Sequence, residues 1–317
     1  MMLKKTKKTD KIAVILMTYG SPKTLADVPA YLKNVYGGKD AEAAVVKEFQ
    51  RRYKVIGGSP LVKITKQQAA ALQKELNKNT KGPLFRVAAG MRFSQPFIYE
   101  VLPKVVKGAD QVIGIIMSPQ FSPIIMSGYI RELEQSVSQL KNPKLKLTFA
   151  NDWHLEPYFV RSLAEKVQKA LKKLPAKVRS EVPVLFSAHS MPKRVIDKEP
   201  DYINNLKETA AAVATEARIP KNRWMFCYQS AGHTPEEWLK PDFADIMPEL
   251  QKKGKKHVLI APVQFLSDHL EILYDVGIGA REQAEEHGIG FSRTESLNTS
   301  PLFIKALAAV VKRIALN

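Results

Sequence analysis

The chain has 317 residues, of which 45% are hydrophobic, and this is enough to build the cores of two domains. Its single cysteine, Cys227, excludes a disulfide framework and an iron–sulfur cluster held by cysteines. The 49 Lys and Arg residues outnumber the 31 Asp and Glu residues. The net charge of +18 favours anionic partners without selecting among nucleic acid, lipid and small polyanions.

The N-terminal segment is basic, and the apolar run that follows it at 12–17 is too short for the core of a signal peptide. No later run reaches the roughly 18 apolar residues that a membrane-spanning helix needs. We therefore expect a soluble, cytoplasmic protein.

Short apolar runs alternate with longer segments of helical periodicity, a pattern typical of βαβ units around a parallel sheet. The strands predicted in the first half are 11–18, 84–89, 111–117 and 145–150. A long helix predicted at 157–174 links the halves. The strands predicted in the second half are 182–186, 223–226, 257–261 and 290–293.

These elements predict an α/β fold of two Rossmann-like domains, each a four-stranded parallel sheet flanked by helices, with the active-site cleft between them. The predicted domains cover 10–152 and 153–301, and a helix at about 302–317 is expected to pack back on the first domain. A faint internal repeat agrees with this division. SPQFSP at 118–123 and APVQFLSDH at 261–269 each place Pro, Gln and Phe just after a third strand.

Ligands bind beyond the carboxyl ends of the strands in open parallel sheets, so the residues after each strand are the candidates for a site. His189 follows the fifth strand, and the segment SDHLE at 267–271 follows the seventh. A helix that begins at Asp268 would be capped by that side chain, with Asp268, Glu271 and Asp275 on one face. An imidazole beside a row of carboxylates suits a divalent metal such as Fe²⁺.

The same residues have a plainer interpretation. A histidine at a strand end is often a hydrogen-bonded surface residue, and DHLE is often the capped start of a helix. No GxGxxG or GxxxxGK[ST] motif follows a strand, so a dinucleotide or P-loop site is not predicted. Residue chemistry alone leaves a metal site and an ordinary helix start as open alternatives.

A more specific signal comes from ordered segments along the whole chain. They are MTYGSP (17–22), RRYKVIGGSPL (51–61), SPQFS (118–122), SAHSMP (187–192), YQSAGHTPEEWLKPD (228–242), PVQFLSDHLEILYD (262–275) and ESLNTSPLFIKAL (295–307). With these segments the chain resembles the ferrochelatase family. In that family the His of SAHS and the Glu of SDHxE insert the metal. The resemblance therefore implies that His189 and Glu271 are the catalytic and metal-binding residues.

Within the family, the chain is most similar to the Gram-positive-type coproporphyrin III ferrochelatases. Tyr19 stands in the first motif, there is no room for an additional apolar lip before Arg52, and no cysteine-bearing C-terminal extension is present. The resemblance implies that Tyr19 is axial to porphyrin-bound iron, on the face opposite His189. It implies porphyrin contacts from Tyr19, Tyr36, Arg52, Tyr53, Ser59 and Tyr129. It also implies that Asp268 and Asp275 form an accessory acidic row.

The chain departs from the coproporphyrin pattern at three places. Tyr36-Gly37 stand where that pattern often has arginines, and Arg92-Phe93 stand where it often has Lys-His. Gly279 stands where the acidic row usually continues. These departures concern one carboxylate contact of the porphyrin, one imidazole on the metal side and the route by which the metal arrives.

The resemblance implies a lyase of heme biosynthesis that inserts Fe²⁺ into a porphyrin, coproporphyrin III, and releases two protons. Fe²⁺ and porphyrin would be substrates, with no permanently bound cofactor. We expect a monomer with transient contacts to the preceding and following enzymes of the pathway. The alternatives are a protoporphyrin IX ferrochelatase, a cobalt or nickel chelatase, and a non-catalytic heme- or porphyrin-binding protein. No nucleic-acid partner is expected, because interleaved aromatic and basic stripes are absent.

Clusters of lysines precede the predicted strands. They are Lys4-Lys5-Lys7-Lys8, Lys78 and Lys81, Lys141-Lys144-Lys146, Lys172-Lys173-Lys177 and Lys252-Lys253-Lys255-Lys256. In parallel sheets they would gather at the amino ends, away from the cleft. Two interpretations stand: solvated loops that keep the protein soluble, and a weak peripheral contact with anionic lipid.

Overall fold

The computed structural model describes residues 11–78, 82–196, 199–232 and 236–315. The first half contains, in chain order, β1 (Lys11–Thr18), α1 (Val28–Val35), α2 (Ala43–Val55), α3 (Leu61–Leu76), β2 (Leu84–Met91), α4 (Ile98–Val105), β3 (Gln111–Ile116), α5 (Pro123–Gln139) and β4 (Lys146–Ala150). The lysines predicted before β1, Lys81 and part of the strand-end segment 228–242 lie outside the described residues.

The second half repeats this alternation. It contains α6 (Pro157–Lys172), α7 (Ala176–Glu181), β5 (Val184–His189), α8 (Lys193–Ile196), α9 (Pro200–Glu216), β6 (Trp224–Gln229), α10 (Phe243–Lys252), β7 (His257–Pro262), a π-helix (Glu271–Gly279), α11 (Ala280–Glu286), β8 (Gly290–Arg293) and α12 (Pro301–Ala315).

The two sheets have the same topology. The strand orders are β2-β1-β3-β4 and β6-β5-β7-β8, and the paired strands are parallel. β1 is buried from Ile12 to Met17, as a parallel strand covered by helices on both faces requires. The repeated Pro-Gln-Phe therefore follows equivalent strands, β3 and β7. The predicted fold of two four-stranded Rossmann-like sheets is confirmed.

The predicted strands are found, but several end later than predicted. β5 runs to His189 and β6 to Gln229, because the backbone ladder continues as far as the pairing of these two residues. Ladder hydrogen bonds do not require apolar side chains, so the end of an apolar run underestimates the strand. His189 is thus the last residue of β5 rather than a residue that follows it.

Helix α12 packs against α3 and α6 and also reaches β3 and β4. Its Phe303 is fully buried, and the Phe303 ring lies 6.4 Å from the ring of Trp153 in the segment between β4 and α6. The last helix therefore covers part of the first sheet, while the domain boundaries 10–152 and 153–301 stay a prediction. Within the described residues, no helix is long and apolar enough to cross a membrane.

Candidate functional site

The residues that follow the carboxyl ends of the two sheets come together in one cleft. Tyr19 follows β1, and Arg92 and Phe93 follow β2. His189 ends β5, and Ser230 follows β6. Nη1 of Arg52 in the first half lies 3.4 Å from Oδ1 of Asp275 in the second half, so the two halves meet closely enough to interact across the cleft.

His189 and Glu271 form the centre of the second half's contribution. The imidazole Nε2 of His189 lies 3.7 Å from Oε2 of Glu271, and each side chain is about one-third exposed. This Oε2 atom is buried and has no hydrogen-bond partner among the described residues. A buried carboxylate oxygen without a partner is costly, so it favours an incoming proton or cation.

Hydrogen bonds hold His189 in one orientation. Its Nδ1 contacts the backbone carbonyl of Ser190, which can only accept, so Nδ1 carries a proton. The neutral ring therefore presents the lone pair of Nε2 to Glu271 and the cleft. The backbone N–H of His189 donates to Oε1 of Gln264 at 2.8 Å, and Gln264 in turn donates to the hydroxyl of buried Tyr202.

The expectation that Asp268 opens and caps a helix is wrong. Its carboxylate accepts hydrogen bonds from Oγ of Ser296 and Nδ2 of Asn298, both at 2.8 Å. The helical segment starts later, with Leu270 at its N-terminal boundary, and residues Glu271–Gly279 are wound as a π-helix. Asp268 is therefore turned toward the segment before α12, and π-helical turns are frequent at functional sites.

Asp275 belongs to the same group of charged side chains as Glu271. Its Oδ2 accepts a hydrogen bond from Oγ of Ser230 at 2.6 Å, and its Oδ1 lies 3.4 Å from Nη1 of Arg52. Burial raises the pKa of Asp275, with a further contribution from Glu271, while Ser230, Arg52 and His189 oppose the increase. Two carboxylates, one imidazole and one guanidinium thus form a single electrostatic cluster.

Arg52 joins the two halves of the molecule. From α2 it pairs with Glu48 at 2.7 Å, and it reaches Asp275 of the π-helix. Its guanidinium carbon also lies 5.1 Å from the centre of the Tyr274 ring. The neighbouring Arg51 donates to the hydroxyl of Tyr274. These contacts fix α2 of the first half against the segment that carries Glu271.

Tyr19 lies among aromatic rings on the side of the first half. Its ring centre is 4.9 Å from that of Phe93 and 6.2 Å from that of Tyr129. Tyr19 is 48% exposed, and its exposed side faces the cleft rather than the aromatic rings beside it. Desolvation raises the pKa of Tyr19, Glu271 raises it further, and Arg92 opposes both.

The turn after Tyr19 requires glycine. Gly20 has φ +91°, and a Cβ atom there would lie 2.2 Å from Oγ of Ser94. Oγ of Ser94 instead accepts the backbone N–H of Ser21 at 3.0 Å. This close approach brings the end of β1 next to the segment that carries Arg92 and Phe93.

The other predicted porphyrin contacts lie in different surroundings. Tyr53 and Tyr129 are only 4% and 3% exposed, so they form the walls of the cleft and burial raises the pKa of each. Tyr36 is 45% exposed at the turn after α1. Ser59 lies in the turn between α2 and α3, where its Oγ accepts the N–H of Leu61.

No sequence pattern predicted that Tyr31 belongs to the site. It lies inside α1, donates to the carbonyl of Gly20 at 3.3 Å, and desolvation raises its pKa well above the usual value. Tyr53, Tyr129 and Tyr19 each contribute to that increase. Tyr31 therefore joins Tyr19, Tyr53 and Tyr129 in a wall of four tyrosines that lines the first half of the site. Arg92 belongs to the same wall, with its guanidinium carbon 4.7 Å from the Phe93 ring centre and 5.3 Å from that of Tyr129.

Across the residues that the structure describes, no group of three or more His, Cys, Asp or Glu side chains is arranged to hold a metal ion. The site instead offers a proton-accepting imidazole beside a carboxylate from one half and a phenol from the other. Groups of this kind can exchange protons with a ligand that lies between the halves.

Comparison with known proteins identifies the family of the chain. Residues 11–315 match a family described as Ferrochelatase. The chain is 35% identical over 306 residues to a ferrochelatase of Deinococcus radiodurans, covering 96% of each chain. It is 34% identical over 310 residues to a coproporphyrin III ferrochelatase of a Geobacillus species, covering 96% of this chain and 99% of the relative.

Solved structures show the same fold at low sequence identity. SirB from Bacillus subtilis with Fe³⁺ superposes with a TM-score of 0.60 at 13% identity, covering 97% of this chain and 96% of that one. CbiX, described as the terminal enzyme of siroheme biosynthesis in denitrifying bacteria, gives a TM-score of 0.53 at 14% identity, covering 96% of this chain and 98% of that one. These similarities establish the fold alone.

Proposed function

Because the chain belongs to the ferrochelatase family of metal chelatases, which are lyases of heme biosynthesis, we propose that it inserts Fe²⁺ into coproporphyrin III and releases two protons. One observation carries the proposal for the site. Nε2 of His189, with its lone pair exposed to the cleft, faces the unpartnered Oε2 of Glu271 at 3.7 Å.

Insertion requires removal of two pyrrole protons from the macrocycle. Nε2 of His189 accepts a proton, because Nδ1 is already committed to the carbonyl of Ser190. Glu271 balances the positive charge that forms on the imidazole, and its Oε2 relays the proton onward. Because Glu271 offsets the charge of the protonated imidazole, the pair repels the incoming Fe²⁺ less than an isolated imidazolium would.

Tyr19 contacts the other face of the macrocycle. Its phenol is neutral at physiological pH, since the ordinary pKa of tyrosine is about 10, and desolvation and Glu271 raise the pKa of Tyr19 further. A neutral phenol packs against a flat, apolar ring without the cost of a buried charge. When the ion enters the ring, the Tyr19 oxygen completes its coordination from the side opposite His189. Binding the ring between the two groups favours the bent geometry in which the nitrogen lone pairs are accessible.

Coproporphyrin III is the proposed substrate because it carries four carboxylates and the first half contributes three arginines beside aromatic rings of the site. Arg51 and Arg52 lie beside the Tyr274 ring and Arg92 beside the Tyr129 ring, and guanidinium groups bind carboxylates through paired hydrogen bonds. Several relatives are named coproporphyrin III ferrochelatase. The relative from Deinococcus radiodurans is named only ferrochelatase, so protoporphyrin IX is the second candidate.

Anaerobic insertion of Fe²⁺ into each porphyrin tests the proposal. We expect a higher kcat/KM for coproporphyrin III than for protoporphyrin IX. The reverse order would assign protoporphyrin IX as the substrate, and insertion of Co²⁺ or Ni²⁺ but not Fe²⁺ would assign another chelatase. Heme binding without turnover of either porphyrin would identify a carrier protein.

We likewise propose that the protein works as a cytoplasmic monomer without a resident cofactor and hands its product to the next enzyme through brief contacts. Light scattering during size-exclusion chromatography tests whether the protein is a monomer. Metal analysis of the purified protein tests whether it holds a resident metal. A stable dimer or a stoichiometric bound metal would contradict them.

A further inference from the structure

A second concave region lies away from the cleft, against the segment ESLNTSP that precedes α12. A cavity of about 470 Å³ is lined by Lys166, Asp268, Arg293, Asn298 and Ser300, among others. A second cavity of about 230 Å³ adjoins it and shares Lys166, Arg293 and Glu295. The segment was singled out by its sequence, but the proposed chemistry of the cleft does not use it.

Positive charge dominates the walls of the smaller cavity, where five Lys and Arg side chains accompany the single carboxylate of Glu295. Lys166 and Lys169 of α6 and Lys173 at its C-terminal boundary form one stripe, since their spacings of three and four place them on one face. All three ammonium groups lie within 3.2 Å of the single carboxylate of Glu295. Their hydrogen bonds lower the pKa of Glu295 to about 2. One carboxylate among three ammonium groups leaves an excess of two positive charges.

Two of the cations are partly withdrawn from water. The side chain of Lys166 is only 17% exposed, and that of Arg293 is 23% exposed. Arg293 lies 3.7 Å from Asp268, whose oxygens already accept hydrogen bonds from Ser296 and Asn298. Each of these cations shares its counter-charge with other groups. An added anion is attracted more strongly to such a partly buried cation than to a solvated surface lysine, because water screens the partly buried charge less.

Hydroxyl groups line the larger cavity, to which Lys166 and Arg293 also contribute. Oγ of Ser300 is buried and has no hydrogen-bond partner among the described residues. Thr299 and Ser296 line the cavity next to it. Ammonium and guanidinium groups facing hydroxyl donors are the combination that binds phosphate oxygens.

We propose that this region is a binding site for a phosphate-bearing anion, held by Lys166, Lys169, Lys173 and Arg293 together with Ser300. The site is separate from the cleft and does not depend on the proposed chelatase reaction. It does touch the segment that carries Glu271, because Asp268 lines the cavity and lies three positions before Glu271. A bound anion is therefore expected to order residues 266–271 as well as 293–301.

Titration calorimetry of the full chain with inorganic pyrophosphate, at constant ionic strength and without porphyrin, tests the site. The test variant is Lys169→Gln/Lys173→Gln. The control is Lys104→Gln/Lys107→Gln, which removes the same charge from exposed positions at the end of α4 and just after it. We expect one binding site in the wild type, an affinity at least tenfold lower in the test variant, and a change below twofold in the control.

Two further measurements refine the result. Pyrophosphate should slow backbone hydrogen exchange at 293–301 in the wild type and not in the test variant. Co-sedimentation with vesicles of phosphatidylglycerol and phosphatidylcholine separates the two sources of phosphate. Vesicle binding that is lost in the test variant assigns the site to lipid headgroups, and pyrophosphate binding without vesicle binding assigns it to free phosphorylated molecules. No binding by the wild type, or equal weakening in both variants, would overturn the proposal.

Discussion

Nε2 of His189 faces Oε2 of Glu271 across 3.7 Å, although the two residues come from the end of β5 and the start of the π-helix. The Ser190 carbonyl fixes the imidazole, and Arg52 and Ser230 fix the neighbouring Asp275 in the same helix. The pair is thus positioned by contacts on both sides before any substrate arrives. Such positioning is what a proton transfer within a closed cleft requires.

Replacement of His189 by alanine should reduce iron insertion more than tenfold and leave the fold intact. Nε2 is the proposed proton acceptor, and a tenfold loss corresponds to about 1.4 kcal/mol in the barrier. Insertion rates and thermal unfolding of the variant measure both effects. His287→Ala is the matched control, because His287 contacts Gln251 in α10 instead of the cleft. More than about a tenth of wild-type turnover in His189→Ala would reject the assignment.

Glu271→Gln should slow insertion severely and leave porphyrin affinity unchanged. A neutral amide has nearly the same shape as the carboxylate, but it neither accepts the proton nor balances the charge on His189. Single-turnover kinetics gives the rate, and quenching of porphyrin fluorescence gives the dissociation constant. Glu282→Gln, at an exposed position of α11, should behave as wild type. An equal loss of porphyrin affinity would show that Glu271 serves binding.

Glu132→Gln should stabilise the protein near neutral pH. Burial raises the pKa of Glu132 to about 6 from 4.5, with Arg92 opposing. Because the folded pKa lies above the unfolded one, the stability that this group contributes is complete below about pH 4.5. It is lost as the pH rises through about 6. The free energy of unfolding of the variant should therefore exceed that of the wild type by at most about 2 kcal/mol above pH 6. The two free energies should differ least near pH 4.

Urea unfolding between pH 4 and pH 7.5 measures that difference. Glu134→Gln, exposed on the same helix, is the control and should show no comparable pH-dependent gain. A wild type that becomes more stable relative to Glu132→Gln as the pH rises would show that Glu132 is favoured in its charged form.

Gly114→Ala should destabilise the first sheet. Gly114 lies in the middle of β3, and an added Cβ would lie 2.7 Å from Cδ2 of Leu133 and 2.9 Å from Cδ1 of Phe149. Overpacking of this kind costs about 1–3 kcal/mol. Gly82→Ala is the control, since no heavy atom lies within 4 Å of its added Cβ, and it should change stability by less than about 0.5 kcal/mol. Equal denaturation midpoints for the two variants would contradict the prediction.

The sequence by itself determined the order and type of the elements. Apolar runs identified the strands, and β1 and β8 begin and end where their runs predict. The parallel pattern also placed His189 and Glu271 at or beyond the carboxyl ends of the fifth and seventh strands, and the pairing of β5 with β7 in the structure makes those ends neighbours. Local periodicity and short-range sterics are sufficient for these conclusions, since burial on a parallel sheet leaves its pattern in the sequence.

Only the tertiary structure decided which partners each acidic residue contacts and which side chains surround the cleft. Asp268 turns to Ser296 and Asn298, and Asp275 turns to Ser230 and Arg52. The winding of Glu271–Gly279 as a π-helix and the place of Tyr31 among the other tyrosines of the site had no local signal. Each depends on partners distant in the chain, and the direction of a polar side chain is set by the donors, acceptors and charges that the completed fold brings to it.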